Sequence, residues 1–334
     1  MALLTTGSSG ITPQFQKYLD KNLLGHAVQE TVLADYGLAQ SLPMHQGVNS
    51  LRFFRGNAGD GSQVVALTEG VTTTARREIA WTPIDVSLVQ YGEISEFTDL
   101  LGDLALLDTG KQITQTHGED AALHADGIIS SAIIPNISGV QKIYAGGAAD
   151  WAALAALTPA NGKAAFADLL TGMTRLKKNR TPKMNGGYVL IAPPEITFNL
   201  MQDDNFTLAG VYGTTKGLFK GEVGTWYNVR VVETTVPWVE DGDAGAESTR
   251  VADPTSIAAS DAIYACILLG REAFGIPKMG PGSPWSPKEI VVRGASKSDP
   301  HNQRTTFAWK TYWNAKLLND TWAVVLRAKS TFGV

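Results

Sequence analysis

The chain is poor in the residues that staple small domains, span bilayers or grip nucleic acid. Its 334 residues include one cysteine, Cys266. An internal disulfide and a multi-cysteine zinc site are therefore excluded, and with them a disulfide scaffold. Charged residues are 18% of the chain, on the low side for a globular protein. The formal net charge is -4 and the pI about 5.8. Phosphate affinity comes from clustered Lys and Arg, so a dedicated nucleic-acid binder is disfavoured. No run approaches the roughly 18 to 20 apolar residues of a membrane helix. The opening MALLTTGSSGITPQFQ has no Lys or Arg before Lys17, and its apolar run is too short for a signal peptide. No membrane partner is expected. GxSxG, P-loop, GxGxxG, EF-hand and HExxH patterns are absent, as are repeats of solenoid period. A soluble cytoplasmic enzyme, a binding module and a structural building block survive, with no cofactor indicated.

Hydrophobic residues are 44% of the chain, enough for one large core or two ordinary ones. The 34 glycines exceed the usual share of about 7%. Part of the excess sits at a candidate hairpin tip and at turns within 139–162 and 210–224, which reads as room to flex.

Hydrophobic periodicity gives the elements. Residues 1–12 read as an arm, followed by a short amphipathic helix begun by Pro13 and carrying Phe15, Tyr18, Leu19 and Leu23. Residues 48–67 read as a hairpin with the turn Gly56-Asn57-Ala58-Gly59-Asp60-Gly61 at its tip, returning through Gln63 to Leu67. A strand follows Pro83. Residues 94–107 read as a helix, and 111–134 as a longer one with Ala121, Ala125, Ile128 and Ala132 in a stripe. Pro135 ends it. Its length is roughly 36 Å at 1.5 Å per residue. A helix over 163–180, a strand at 188–191, a helix from Pro193-Pro194, a strand over 226–234, an exposed loop over 238–256 and a strand over 262–269 follow. Strands 305–313 and 321–328 are expected to pair with each other.

Three clusters invite chemistry. His117, Asp120 and His124 share one helix face and suit a metal, or form a solvated polar face opposite the alanine stripe, the preferred reading. Glu240, Asp241, Asp243 and Glu247 have two Asp at a calcium-like spacing without the rest of the ligand pattern, so a solvated loop is preferred. Cys266 lies in an apolar strand and reads as an inert buried thiol. Arg175, Lys177, Lys178, Arg180 and Lys183 form the densest basic cluster. They suit a nucleic-acid contact or, preferably, the negative end of a helix dipole. No catalytic constellation emerges.

Several segments, taken in order, carry a resemblance. They are LTEGV from Leu67, KMNGGYVLIAPPE from Lys183, GEVGTWYNVRVVET from Gly221, REAFGI from Arg271 and SDPHNQRTTFAWKTYWNAKLLNDTWAVVL from Ser298. Together they resemble the tailed-phage major capsid proteins of the N4-like group, which have the HK97 capsid fold, over about residues 45–329. The resemblance implies an α+β subunit: N-terminal arm 1–44, E-loop 45–80, peripheral domain 81–160 with a long spine helix, axial domain 161–288 and a C-terminal return 289–334. It implies assembly into an icosahedral shell enclosing double-stranded phage DNA. The subunit's partners are then many copies of itself, as hexamers and pentamers, and a portal, with scaffolding or decoration proteins left open. Contact with packaged DNA is weak, and Arg175 to Lys183 are the DNA-facing candidates. The implied location is the virion capsid, assembled in the host cytoplasm, and no enzymatic role follows.

Under this resemblance Arg52, Arg55 and Asp60 are expected assembly contacts on or near the E-loop, and Phe15, Tyr18 and Leu19 are expected to dock the arm. Some members of the wider fold class cross-link through an E-loop lysine. Here no lysine lies between Asn22 and Lys111, so a non-covalent shell is expected. No long charged N-terminal segment of the built-in scaffold kind is present, which leaves a separate scaffold or the arm itself. An encapsulin-like compartment on the same fold, and a soluble α+β enzyme or binding protein, are the rival readings.

Overall fold

A computed structural model describes residues 32–43, 49–56, 59, 61, 64–72, 79–104, 109–202, 222–226, 228–234, 236–244, 247, 250–251, 256–279, 287–294 and 300–332. The arm helix expected around Phe15, Tyr18 and Leu19 lies outside them, as does Asp60.

In chain order, a 3-10 turn Leu33–Tyr36 leads to β1 (Leu38–Leu42), β2 (Ser50–Gly56), β3 (Trp81–Ser87) and β4 (Val89–Thr98). Helices α1 (Asp99–Leu104) and α2 (Thr109–Ile133) follow, then β5 (Lys142–Tyr144), α3 (Trp151–Ala155), α4 (Phe166–Lys178), β6 (Tyr188–Ala192) and α5 (Pro194–Met201). The remainder is mostly strand: β7 (Glu222–Trp226), β8 (Val229–Glu233), β9 (Trp238–Asp241), β10 (Ala262–Leu269), β11 (Phe274–Met279), β12 (Lys288–Val292), β13 (Arg304–Trp313), β14 (Lys316–Leu317) and β15 (Ala323–Lys329).

The central sheet runs β5-β15-β10-β6-β8-β7, with β9 also on β10. Its inner strands are near-continuous apolar runs, such as YVLIA and AIYACILL, because both faces are covered. On one face Val189, Ile191, Ile267 and Val325 pack against Ala121, Ala125, Ile129 and Ile133 of α2. On the other, Leu190, Cys266, Leu268 and Val324 pack against Leu169, Met173 and Leu176 of α4 and Ile196 of α5. Asp168 Oδ2 accepts the N–H of Ala165 at 3.0 Å at the start of α4. Smaller sheets β12-β13-β4, β1-β11-β14 and the ribbon β2-β3 complete the subunit.

Five expectations are corrected. The partner of β2 is β3, in a register from Ser50↔Ser87 to Gly56↔Trp81, not 63–67. That register sets Arg52 against Asp85 and lets Phe53 and Val86 enter one small core. Residues 94–98 are strand, since Tyr91, Glu93, Ser95 and Phe97 alternate with more exposed neighbours at period two. Only Asp99–Leu104 of the expected helix 94–107 is described as helical. The segment 226–234 holds the end of one strand and the whole of the next, paired as antiparallel β7 and β8. The expected loop 238–256 begins as β9, antiparallel to β10. Finally, β15 does not pair with β13: it lies between β5 and β10, while β13 pairs with β12 and β4. Every residue of β15 is buried, and a strand of that kind belongs inside a two-sided sheet rather than in a half-exposed hairpin.

The glycines within 139–162 include one held by crowding. Gly146 has φ +68°, and a Cβ there would stand 2.1 Å from the Asn161 carbonyl oxygen. Close approach requires glycine at this position.

Candidate assembly surface

The β2-β3 ribbon leaves the body at a compact root. Phe53 and Val86 pack with Leu318, and Gly275 of β11 gives Phe53 room, since a Cβ there would lie 2.8 Å from the ring. Asn314 Nδ2 donates to the Ser87 carbonyl at 2.6 Å, and Lys316 Nζ to that of Asp85 at 2.9 Å. Across the ribbon the Arg52 guanidinium holds Asp85 by two bonds of 2.6 and 2.8 Å. Each partner stabilises the charged form of the other, so Asp85 sits below the usual carboxylate range and Arg52 above its own. Both are half-exposed, and the pair serves mainly to set register. Further out, Arg55 faces Asp320 at 3.5 Å, and Arg180 Nη1 donates to the Gly59 carbonyl at 3.1 Å.

Between ribbon and body runs a groove of about 450 Å³ lined by Leu38, Phe53, Arg55, Arg180, Leu318 and Trp322 among others. Beyond it the chain turns apolar outward. Val64 is 83% exposed, Leu67 77%, Ile79 71% and Val71 65%, with Phe54 and Trp81 at 63%. Between Ser62 and Thr72 the one charged residue is Glu69. Large apolar side chains exposed in this way make the segment a candidate interaction surface. The outer edges of a two-stranded ribbon also present unpaired backbone groups.

The expected contact residues divide accordingly. Arg52 and Arg55 belong to the ribbon and pair within the subunit. Asp60, Phe15, Tyr18 and Leu19 fall outside the described residues.

The basic cluster does not act as a unit. Arg175, Lys177 and Lys178 occupy the last turn of α4, but Arg175 turns inward and its Nη1 donates to the carbonyls of Val140 and Lys142. Arg180 reaches Gly59. Lys183 lines a second cavity with Asp35, Arg271 and Glu272. Lys177 and Lys178 remain exposed.

The acidic segment is solvated only in part: Asp243 is exposed and Asp241 half-buried. Glu240 is fully buried and accepts from Arg327, from Trp151 Nε1 at 2.6 Å and from Trp238 Nε1 at 3.0 Å. Glu247 joins the group by pairing with Lys142 and Arg327. Sequence reasoning missed this centre. Its signal was Arg327 itself, a charge inside an apolar run that had to meet an acid.

His117 is buried rather than solvated, while Asp120 and His124 are exposed. Among the described residues no group of three metal-ligating side chains comes together. His117 Nε2 and Ser95 Oγ share a 2.7 Å hydrogen bond that joins α2 to β4. The buried Nδ1 has no partner among the described residues. Burial holds this imidazole below its ordinary pKa, against the opposing pull of Glu93 and Asp120. The folded state therefore takes up the proton less readily than the unfolded chain. Stability should be lost as pH falls through the unfolded value of about 6.5 toward the lower folded one. Thermal melts are expected to show the wild type losing ground to His117→Gln over that window. A constant difference between the two proteins would refute the assignment. Burial also pushes the Cys266 thiol up, keeping it protonated and inert.

A family model described as phage capsid protein matches residues 81–326. No curated protein matches the chain. The chain is similar in fold to the capsid of Ralstonia phage GP4, at 12% identity and a TM-score of 0.65, over 91% of this chain and 92% of that one. It is also similar to the capsid of cyanophage Pam1, at 13% identity and 0.62, over 92% of each. The holo-SrpI encapsulin of Synechococcus elongatus PCC 7942 follows at 14% identity and 0.54, over 99% of this chain and 93% of that one. The fold class is thus the HK97-like α+β one that the resemblance implied.

Proposed function

The chain belongs to the phage capsid protein family, and from that premise we propose that it is the major shell subunit, closing with copies of itself around double-stranded phage DNA. One observation carries this reading: the ribbon and the segment beyond it expose Phe54, Val64, Leu67, Val71, Ile79 and Trp81. A soluble monomer has no use for such a surface, whereas a neighbouring copy covers it. Each contact is modest, but in a closed shell every subunit engages several at once, and weak contacts multiply. We read the ribbon as the E-loop, α2 with the β12-β13-β4 sheet as the peripheral domain, and much of the central sheet as the axial domain. Membership of the N4-like group is supported by the segments from Lys183, Gly221, Arg271 and Ser298. Hexamers, pentamers, a portal and assembly in the host cytoplasm belong to the same reading, as do optional scaffolding or decoration proteins. The net charge of -4 suits a wall that holds DNA without binding it tightly. Exposed Lys177 and Lys178 are the places for local contact.

The test is to express the full chain and examine it by sedimentation and electron microscopy. Megadalton closed particles are expected. On a denaturing gel they should dissolve to a single 35.7 kDa band, because the E-loop has no lysine to cross-link. A chain that stays monomeric with and without co-expressed head proteins refutes the shell reading. A ladder of multimers refutes the non-covalent part. Particles filled with a cargo enzyme and free of nucleic acid would favour the encapsulin alternative.

A further inference from the structure

Residues 32–36 meet the body of the subunit at one buried carboxylate. Asp126 lies in the C-terminal half of α2 and is fully buried. Its Oδ2 accepts the N–H of Val32 at 2.9 Å and its Oδ1 that of Leu33 at 3.2 Å. These donors open the 3-10 turn Leu33–Tyr36, where backbone N–H groups have no partner within the helix. Leu33 and Ala34 are buried in the same core as Ala122, Ala125 and Ile129. The turn is therefore both the ligand of the carboxylate and part of its cover. Lifting the turn would open Asp126 to water.

We propose that this contact is a proton-coupled latch: docking of residues 32–36 on α2 takes up a proton at Asp126, so the root of the N-terminal segment is held more tightly in mild acid than above neutrality. The latch stands whether or not the shell reading does.

The direction follows from two opposed effects. Burial raises the Asp126 pKa to about 6, although the backbone N–H bonds favour its charged form. Released into water, the carboxyl would return toward about 3.9. The docked state is thus the better proton acceptor, and lowering the pH through 6 drives docking. Roughly two pKa units correspond to about a hundredfold in the docking equilibrium.

The surrounding charges leave this sign intact. From the turn, Asp35 adds a like charge that raises the value further. Arg250 lies over Gly127 and acts on His124. On the strands packed against α2, Arg304 pairs with Glu96, Lys316 donates to the Asp85 carbonyl, and Lys310 stands opposite Gly92.

The experiment is hydrogen exchange of amides 32–34 in the full chain between about pH 8 and about pH 5, corrected for intrinsic rates. It is paired with a carboxyl NMR titration of Asp126. Protection is expected to rise about tenfold by pH 5, the part of the roughly hundredfold limit that lies above that pH, following the Asp126 titration, and to become flat in Asp126→Asn. PH-independent protection in the wild type, or a pH dependence retained in Asp126→Asn, overturns the latch. Should Asp126→Asn fail to fold, Asp35→Asn decides. Its midpoint should fall below that of the wild type, and an unchanged midpoint overturns the proposal.

Discussion

Replacing Val64, Leu67 and Ile79 together with aspartate is expected to leave a folded, soluble subunit that no longer closes into particles. The three side chains are 83%, 77% and 71% exposed within the subunit, and substitutions at such positions change folding free energy by about 0.5 kcal/mol or less. Covered by a neighbour, each new carboxylate would lose its water in a contact built of apolar side chains. Desolvating an unpaired charge costs several kcal/mol, and a shell repeats that cost at every copy. Sedimentation of the variant should show monomers or small oligomers while its melting temperature stays near that of the wild type. Particles formed at wild-type yield would show that this surface faces solvent in the assembly.

Glu240→Ala should act in the opposite way, on the fold before assembly. Glu240 and Arg327 are both fully buried, and the pair is joined by three hydrogen bonds of 3.1 to 3.2 Å. Removing the acid strands a guanidinium and the indole N–H groups of Trp151 and Trp238. Breaking one side of such a pair costs about 3 to 5 kcal/mol, a large share of the stability of an ordinary domain. Denaturant titration measures it. The double replacement Glu240→Leu with Arg327→Met removes both charges and should recover part of the loss, leaving the indoles unpaired. A Glu240→Ala protein as stable as the wild type would mean that Glu247, which already pairs with Arg327, takes over its compensation.

Most individual elements were legible because their signals are local. The alanine-isoleucine stripe of α2, ended before Pro135, repeats at the helical period over many turns. The runs YVLIA and AIYACILL announce strands buried on both faces. The exposed segment near the glycine-rich turn was legible as something that needs a cover, though not which strand returns beside β2. Pairing was where local reading failed. Residues 63–67 and 81–87 are both acceptable partners for β2 by composition, and only the joint fit of Phe53, Val86 and Leu318 at the root selects the second. Likewise 321–328 looked like the return of a hairpin because it follows 305–313 closely. Burial on both faces places it in another sheet.

The candidate site divides along the same line. Arg52 and Arg55 were legible as ribbon residues because the resemblance places them on or near the E-loop tip. Glu240 was misplaced because acidic neighbours on a glycine-rich segment look solvated, and nothing within ten residues reveals Arg327, 87 positions away. His117 was assigned to water because its helix position is polar on average. It is buried because β4, whose second half has the look of a helix in sequence, brings Ser95 to it. Sequence by itself determined what each stretch prefers, which motifs are absent and that one segment carries apolar side chains in need of a cover. Tertiary structure alone decided which strands pair, which charges are buried and how the N-terminal segment is anchored. Periodicity is a property of adjacent residues, whereas pairing and desolvation depend on residues that the chain separates and only folding brings together.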